Sequence, residues 1–215
     1  MISNKFPVAN GAQFCYPPAV PQHSDFDIPM LRGPVILTHL LLARYVRDGD
    51  RVVDATCGNG NDTLLLAELC GRNGHVWGFD IQQHALDETA RRVTEAGMEE
   101  RVTLLLAGHE DMLSHTSGPL KAVCFNLGYL PGGDRSLITR PETTLSALEH
   151  SLQLISAGGI VAVTLYSGHA GGADEKTAVE GWATALPPQK YHCWRMGQLN
   201  VPADAPFVIV IQKVV

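Results

Sequence analysis

The chain has 215 residues and a formal net charge of −6 at pH 7, with 45% hydrophobic and 18% charged residues. This length suits one domain with a modest extension, and the composition is that of an ordinary globular protein, which excludes disordered and fibrous classes. The negative charge argues against a protein that coats nucleic acid nonspecifically, but it permits an enzyme that holds one folded RNA through a local basic patch.

Neither a membrane span nor a secretion signal is predicted. No apolar run approaches the roughly 18 residues that a membrane helix needs. The N-terminus lacks the apolar core of a signal peptide, so we expect a cytoplasmic location and no membrane contact. The cysteines are scattered without a C-x-x-C pair, at Cys15, Cys57, Cys70, Cys124 and Cys193. This spacing predicts reduced thiols and no metal site.

The chain begins with an irregular segment. Residues 1–30 contain five prolines, which exclude a long helix and predict an N-terminal arm. Three aromatic residues, Phe14, Tyr16 and Phe26, predict that this arm packs against the domain that follows. That domain is expected to span residues 31–215. It opens with a predicted helix at Pro34–Tyr45, where the apolar spacing is helical.

From residue 51 onward, strand patterns alternate with helix patterns. The predicted strands are Arg51–Ala55, Gly74–Asp80, Val102–Ala107, Ala122–Asn126, Gly159–Tyr166, Lys190–Met196 and Phe207–Val214. The predicted helices are Asp62–Cys70, His84–Ala96, Thr143–Leu154 and Glu175–Leu186. This alternation predicts parallel βαβ units, and the last two strands predict an antiparallel C-terminal edge. The expected fold is therefore an α/β, Rossmann-like, doubly wound sheet of seven mainly parallel strands.

A glycine loop follows the first predicted strand. The segment Asp54–Thr63 (DATCGNGNDT) leaves that strand and opens a helix, which is where doubly wound sheets bind nucleotides. Gly58 and Gly60 let the backbone turn sharply and approach a ligand closely. Asp80 ends the next strand about 20 residues after Gly60, the spacing at which an acid meets a ribose diol in such folds.

The loop favours one cofactor class over another. A dinucleotide-binding loop reads G-x-G-x-x-G, but here the third glycine is absent and Asp62 would oppose a pyrophosphate. S-adenosylmethionine has no phosphate and carries a sulfonium and an ammonium, so it tolerates nearby acids. A first-turn acid is also favoured by the helix dipole alone. The loop therefore predicts a class I methyltransferase rather than a dinucleotide oxidoreductase.

Further cofactor contacts are expected at the ends of the next strands. Gly108–Asp111 follows the third strand, where class I methyltransferases contact adenine; Glu110 or Asp111 would accept the adenine amino group. The alternative interpretation is a helix N-cap with first-turn acids. The residues predicted to bind the cofactor are Asp54, Cys57, Gly58, Asn59, Gly60, Asn61, Asp62, Thr63, Asp80, Ile81, Gln82, Gly108, His109, Glu110 and Asn126.

The fourth strand carries the predicted chemistry. Phe125–Pro131 (FNLGYLP) ends this strand and resembles the N-P-P-Y element of methyltransferases that act on exocyclic amines, with Leu127-Gly128 replacing the two prolines. In that element the Asn accepts a hydrogen bond from the target nitrogen and the Tyr stacks on the base. In-line positioning of this kind supplies much of the rate. The ordinary alternatives are a strand-end turn residue for Asn126 and a partly buried aromatic for Tyr129.

Several motifs together resemble one family, first labelled rRNA methylases. They are Asp54–Thr63, Gly78–Gln82, Gly108–Glu110, Phe125–Asp134, Tyr166–His169, Glu175-Lys176, Leu199-Asn200 and Asp204–Phe207. The resemblance covers about residues 31–215. It implies a bacterial tRNA methyltransferase that converts 5-aminomethyl-(2-thio)uridine at the anticodon wobble position to its methylaminomethyl form.

That reaction requires a proton acceptor. A primary alkyl amine has a free pKa of about 10, so it must lose a proton before it attacks. A mostly apolar pocket lowers that pKa by desolvation, and a neighbouring base accepts the proton. The candidates are His169, Tyr129 and Asp134, and we predict a catalytic role for His169 beside Asn126 and Tyr129 because histidine titrates near neutrality unaided. A hydrogen-bonding loop residue is the other interpretation of His169.

The expected partner is a tRNA anticodon stem-loop. Arg135, Arg140 and Lys176 would form a local basic patch for phosphates, although a solvated surface face is an equal alternative. Rim loops, with a homodimer as one option, would recognise the anticodon. The residues predicted to bind substrate are Leu127, Gly128, Tyr129, Asp134, Arg135, Tyr166 and His169. The rival functions are a small-molecule N-methyltransferase with residues 1–30 as its lid, and a binding protein without catalysis, against which Asn126 and Tyr129 argue.

Overall fold

The computed structural model describes residues 31, 33–130, 132 and 137–215 of the chain. The strands in this part are β1 (Arg51–Asp54), β2 (His75–Asp80), β3 (Val102–Leu106), β4 (Leu120–Leu127), β5 (Ile155–Leu165), β6 (Tyr191–Met196) and β7 (Phe207–Lys213). The helices are α1 (Pro34–Tyr45), α2 (Asn61–Cys70), α3 (Gln83–Glu95), α4 (Met112–His115), α5 (Pro141–Leu154) and α6 (Gly172–Ala185). The predicted packing of the arm concerns residues 1–30, which lie outside the described residues.

One sheet joins all these strands in the order β3-β2-β1-β4-β5-β7-β6. The strand β1 pairs in parallel with both β2 and β4, so the strand order reverses at β1. The strand β7 lies between β5 and β6 and is antiparallel to both. The predicted α/β fold, with a mainly parallel doubly wound sheet and an antiparallel C-terminal edge, is confirmed.

The central strands of the sheet are buried on both faces, and successive side chains of a strand point to opposite sides. On β1, Val53 joins the apolar cluster beneath α5 and α6, whereas Val52 joins the cluster beneath α1 and α2. Both side chains are fully buried. Parallel sheets need such cover on each face, and the helices supply it. The functional groups therefore collect at the strand ends rather than on a sheet face.

The structure departs from the predicted boundaries mainly around β5. This strand begins at Ile155 rather than Gly159, because Ile155 pairs with Leu120 and the ladder crosses an irregularity before resuming at Ala122 and Ile160. The sequence SAGG resembles a turn, and Gly158 does have a φ of +73°, but the strand continues across this irregularity because residues on both sides of it pair with β4. The short helix α4 was not predicted, since its four residues are too few to display a helical period.

Helix starts also differ slightly from prediction. The helix α5 begins at Pro141 rather than Thr143, since the fixed φ of proline suits the first helical turn. The helix α6 begins at Gly172 rather than Glu175. None of the described helices is long and apolar enough to span a membrane.

Candidate functional site

A cavity of about 840 Å³ opens at the carboxyl ends of the central strands. This is the edge at which doubly wound sheets bind ligands, next to the point where the strand order reverses. Seventeen predicted site residues line it: Cys57, Gly58, Asn59, Asn61, Asp62, Asp80, Ile81, Gln82, Gly108, His109, Glu110, Asn126, Leu127, Gly128, Tyr129, Tyr166 and His169. Asp134 and Arg135 lie outside the described residues.

Three predicted cofactor residues, Asp54, Gly60 and Thr63, are not among the cavity-lining groups. The Asp54 carboxylate is fully buried beneath the loop. It accepts hydrogen bonds from the Thr56 backbone N–H at 3.2 Å and from the Thr63 hydroxyl at 2.6 Å. Burial, reinforced by the charge of Asp62, raises the pKa of Asp54 to about 7. Asp54 and Thr63 therefore support the loop from below.

The glycine loop has the backbone geometry that its sequence predicts. Gly58 and Gly60 have φ values of +51° and +78°, which side chains rarely permit. A Cβ on Gly60 would lie 2.9 Å from the Thr89 hydroxyl oxygen. Asp80 accepts hydrogen bonds from the backbone N–H groups of Gly58 and Gln82, each at 2.9 Å. Each Asp80 oxygen keeps acceptor capacity for a ligand, while its carboxylate also ties the loop to the end of β2.

The end of β3 places different acids inside and outside the cavity. Glu110 lines the cavity, whereas Asp111 is exposed and does not. The residue at the N-cap of this turn is Gly108, which has no side chain with which to form a capping hydrogen bond. His109 is buried, and burial lowers its pKa, which favours the neutral ring. Of the two acids that the sequence offered for adenine recognition, only Glu110 is positioned at the cavity.

The end of β4 holds Asn126 in one orientation. Its backbone N–H donates to the Thr56 hydroxyl oxygen at 2.7 Å, and its side-chain Nδ2 donates to Asp62 Oδ2. Because an ionised carboxylate only accepts, the amide nitrogen must face Asp62. The amide oxygen Oδ1 is buried and has no protein partner among the described groups. Asn126 therefore presents a free acceptor to the cavity.

The Asn-Leu-Gly-Tyr turn is fixed by residues that the sequence did not single out for this role. The Gly128 N–H donates to the Thr139 hydroxyl at 2.9 Å, and the Thr139 N–H donates back to the Gly128 carbonyl at 3.0 Å. The Thr139 and Thr144 hydroxyls each donate to Glu175 at 2.7 Å, and Glu175 is 2% exposed. A buried carboxylate on α6 thus anchors the turn through Thr139.

His169 lies against Tyr129 on the same side of the cavity. Their ring centroids are 5.7 Å apart in an edge-on arrangement. His169 Nδ1 lies 2.9 Å from the Ala170 carbonyl oxygen, which only accepts, so Nδ1 carries the hydrogen. The other nitrogen, Nε2, is buried without a partner. A Cβ on Gly128 would lie 3.3 Å from Nε2, so the absence of a side chain there leaves room around it.

Unpaired polar atoms concentrate at this cavity. Five buried side-chain atoms in the described part of the chain lack a hydrogen-bond partner, and four of them belong to cavity-lining residues: Gln82, His109, Asn126 and His169. An unsatisfied buried polar group costs about 1–3 kcal/mol, so such atoms call for a bound partner. Together with the carboxylates of Asp62 and Asp80, they fit a polar ligand that carries positive charge.

The contact of His39 with Asp62 was not predicted from the sequence. His39 Nε2 lies 2.5 Å from Asp62 Oδ1, so Asp62 bridges His39 and Asn126. The only signal was Thr38-His39, a polar interruption in the apolar helix α1. Within the described ranges, no group of three or more His, Cys, Asp or Glu side chains is arranged to hold a metal ion.

Comparison with known sequences identifies the family. A family model described as "Putative rRNA methylase" matches residues 76–212. A chloroplastic tRNA (mnm5s2U34)-methyltransferase of Arabidopsis thaliana is 36% identical over 187 residues, which cover 82% of this chain and 68% of that protein.

Solved structures agree with these matches. A Clostridium thermocellum protein described as an rRNA methylase is 41% identical with a TM-score of 0.84, covering 86% of this chain and all of that one. A Streptococcus mutans methyltransferase in complex with S-adenosylhomocysteine (SAH) is 34% identical with a TM-score of 0.78 over 86% of this chain and 100% of that chain. The resemblance seen in the sequence is confirmed: the chain belongs to the rRNA methylase family and is a class I S-adenosylmethionine-dependent methyltransferase.

Proposed function

We propose that this enzyme methylates the aminomethyl nitrogen of 5-aminomethyl-(2-thio)uridine at the wobble position of a tRNA anticodon. The name of the Arabidopsis relative gives that nucleoside class and position for that protein. The observation that carries the proposal is the buried Asn126 Oδ1, an unpaired acceptor held at the cavity by the bond from Nδ2 to Asp62. An acceptor in this place suits a substrate that carries N–H donors.

The cavity fits S-adenosylmethionine at its glycine-loop end. The two glycines with positive φ allow close approach of a ligand, and Asp80 retains acceptor capacity for ribose hydroxyls. The carboxylates of Asp62 and Asp80 complement the positive sulfonium and ammonium groups. We assign the adenine end to Gln82, His109 and Glu110, and further contacts to Cys57, Asn59, Asn61, Ile81 and Gly108. When bound, S-adenosylmethionine supplies a methyl group already activated by the sulfonium.

At the other end, Asn126 and Tyr129 position the nucleophile. Asn126 Oδ1 accepts a hydrogen bond from the amine, which aims the nitrogen lone pair along the transfer axis. The ring of Tyr129 lines the cavity and is 37% exposed, and we assign it to stacking on the base. Leu127, Gly128 and Tyr166 complete the wall around the base. We assign His169 Nε2 as a hydrogen-bond acceptor for the substrate, because it is buried and unpaired beside Tyr129.

One basic residue of the described part is placed to meet RNA at the rim of the cavity. Arg140 lines the cavity and is exposed, so it is available to an RNA phosphate at the rim. The roles expected for Asp134 and Arg135 remain predictions. A homodimer and a cytoplasmic location also remain predictions, which light scattering and fractionation would test.

The decisive experiment uses tRNA from a strain that lacks this methyltransferase. The purified protein and isotope-labelled S-adenosylmethionine are added, and nucleosides are analysed by mass spectrometry. We expect the labelled methyl group on the aminomethyl nucleoside. Two controls are the same tRNA without the aminomethyl group and the free aminomethyl nucleoside. Methylation of the free nucleoside with none of the tRNA would replace this proposal with the small-molecule alternative.

A further inference from the structure

Asp62 lies between Asn126, which is predicted to hold the substrate amine, and His39, whose side chain is partly exposed to solvent. One oxygen of Asp62 accepts from Asn126 Nδ2, and the other lies 2.5 Å from His39 Nε2. Asp62 is 5% exposed and lines the cavity, whereas the His39 side chain is 28% exposed and does not line it. The pair therefore spans from the cavity wall to the outside of the protein.

We propose that Asp62 and His39 form the outlet for the proton that the substrate amine must lose before methyl transfer. Asp62 takes the proton at the cavity, and His39 is the positioning residue that passes it to solvent. This inference rests on the proposed function, because only an amine substrate that arrives protonated needs such an outlet.

The proton balance is simple. The substrate enters as R–CH2–NH3⁺; an N–H bond breaks, and the proton moves to an Asp62 oxygen while the electron pair stays on nitrogen. While Asp62 is ionised, His39 Nε2 carries the ring hydrogen and donates to it. Once Asp62 holds the proton, the ring shifts to its Nδ1–H form by proton exchange with water, and Nε2 takes the proton as Asp62 returns to its carboxylate form. Nδ1 then releases its own proton to water, which restores the Nε2–H form for the next turnover. The neutral amine then forms its bond to the methyl carbon, the sulfur keeps the electron pair of the broken S–C bond, and the product is a secondary ammonium.

His169 is the rival acceptor, and its geometry suits it less well to this role. Its Nδ1 is bonded to the Ala170 carbonyl oxygen, and its Nε2 is buried. A proton taken at Nε2 would stay on a buried nitrogen at the cavity, because Nδ1 already donates to that carbonyl. His39 differs because its partly exposed ring connects a buried carboxylate to solvent. A base that turns over must also release its proton, and His39 satisfies that condition.

Other titratable groups surround the Asp62 end of the pair. They are Asp54 from β1, Cys124 from β4 and Tyr166 just after β5. Burial raises the pKa of Cys124 and of Tyr166 further above neutrality, so neither titrates between pH 6 and 8.5. The pKa of Asp54 is raised by burial to about 7, which lies inside that range. The pH experiment therefore includes the variant Asp54→Asn, which removes the titration of this carboxyl group.

The test measures single-turnover methylation of aminomethyl tRNA from pH 6 to 8.5 with saturating S-adenosylmethionine. The variants are His39→Gln, Asp62→Asn, His169→Gln and Asp54→Asn, and the control is His192→Gln on the exposed edge strand β6. We expect His39→Gln to lower the rate at pH 7 by about 10- to 100-fold. That deficit should shrink as the pH rises, because more of the amine is then already neutral.

Two further readouts separate proton transfer from a structural role. The dissociation constant for S-adenosylmethionine should stay within about 2-fold in His39→Gln, and added imidazole should restore part of the rate in His39→Gly. Asp62→Asn should show the same pH-dependent deficit, since the carbonyl of the new amide still accepts from Asn126 Nδ2. Asp62→Asn keeps the test valid if the His39 variants fail to fold.

Four results would overturn the inference. An equal fractional loss at every pH would make His39 structural, and a loss of cofactor affinity in Asp62→Asn with no pH-dependent loss of rate would limit Asp62 to binding the cofactor. A pH-dependent deficit in His169→Gln or Asp54→Asn, with His39→Gln unaffected, would move the proton acceptor there. A wild-type enzyme that leaves this tRNA unmethylated at every pH would reject the proposed function itself, before any variant is compared.

Discussion

The two ends of the cavity are built differently. At the glycine-loop end, the fixing bonds join residues close in sequence: Asp54 to Thr63 over nine residues and Asp80 to Gly58 over 22. At the Asn126 end they join distant elements: Asn126 to Asp62 over 64 residues and to Thr56 over 70.

This contrast separates two functions. At the glycine-loop end, the backbone conformation and the hydrogen-bonded carboxylates are fixed by nearby residues, which suits a cofactor that is the same in every reaction cycle. The Asn126 end is assembled by packing and keeps unpaired acceptors on Asn126 and His169 for a substrate. Substitutions at the first end should therefore change cofactor affinity, and substitutions at the second should change the rate or the use of tRNA.

The largest effect is expected from Asn126→Ala. Loss of the acceptor leaves the amine unaligned, so the single-turnover rate should fall by about 100-fold, while the dissociation constant for S-adenosylmethionine changes far less. Asn73→Ala is the matched control, because Asn73 is exposed and bonded to Asp48 away from the cavity. A loss that appeared only in cofactor affinity would erase the distinction between the two ends.

The next effect tests the loop end. Asp80→Asn should weaken S-adenosylmethionine binding by about 10-fold, since a charged hydrogen bond of about 1.5–3 kcal/mol is replaced by a neutral one. Asp80→Ala should weaken it more, because the Gly58 and Gln82 N–H groups then both lose their acceptor, whereas the single amide oxygen of asparagine still serves one of them. Calorimetry measures both constants, with the exposed Asp87→Asn as control. An unchanged constant in a folded Asp80→Ala protein would disprove the assignment.

A smaller effect is expected at Tyr129. Base–aromatic stacking contributes about 1–3 kcal/mol, and at the lower end of this range Tyr129→Ala should weaken tRNA use, measured as KM or Kd, by about 5- to 10-fold. Tyr129→Phe keeps the ring and should lose about 2-fold or less. Equal and severe losses in the two variants would assign the hydroxyl, rather than the ring, to the reaction.

The smallest effect concerns stability. Because the pKa of Asp54 is raised from 3.8 to about 7, the native state binds the proton more tightly than the unfolded chain. Stability therefore falls as the pH rises from about 4 to 7, and the full penalty is present above 7. Asp54→Asn should raise the Tm of the cofactor-free protein by about 2–4 °C at pH 8 and less at pH 5.

Thermal unfolding at the two pH values measures this difference, with Asp87→Asn as the exposed control. An equal shift at both pH values would show that Asp54 does not titrate in the native state as its burial requires. A stabilised variant that binds S-adenosylmethionine more weakly would show that the buried charge serves the cofactor at a cost in stability.

Local sequence determined most of the fold and the loop end. The alternation of strand and helix patterns predicted the parallel sheet, and the turn after β1 needs glycine wherever φ is positive. Asp80 was predictable because a strand end fixes its place beside that loop. The same holds for Asn126 and Tyr129, which are consecutive residues of one strand-end motif.

Only the tertiary structure brought His39 to Asp62, and Glu175 to Thr139 and Thr144. These contacts depend on how α1 packs beside α2 and on how α6 lies beside α5, and no local pattern encodes either arrangement. Tertiary packing also decided which of two adjacent acids lines the cavity. Glu110 and Asp111 were equal candidates in the sequence, but only Glu110 lines the cavity, whereas Asp111 is exposed. The sequence alone determined which side chains stand at each strand end, because the alternation of strand and helix patterns and the backbone conformation of each turn depend on neighbouring residues. Their partners are set by packing between segments far apart in the chain.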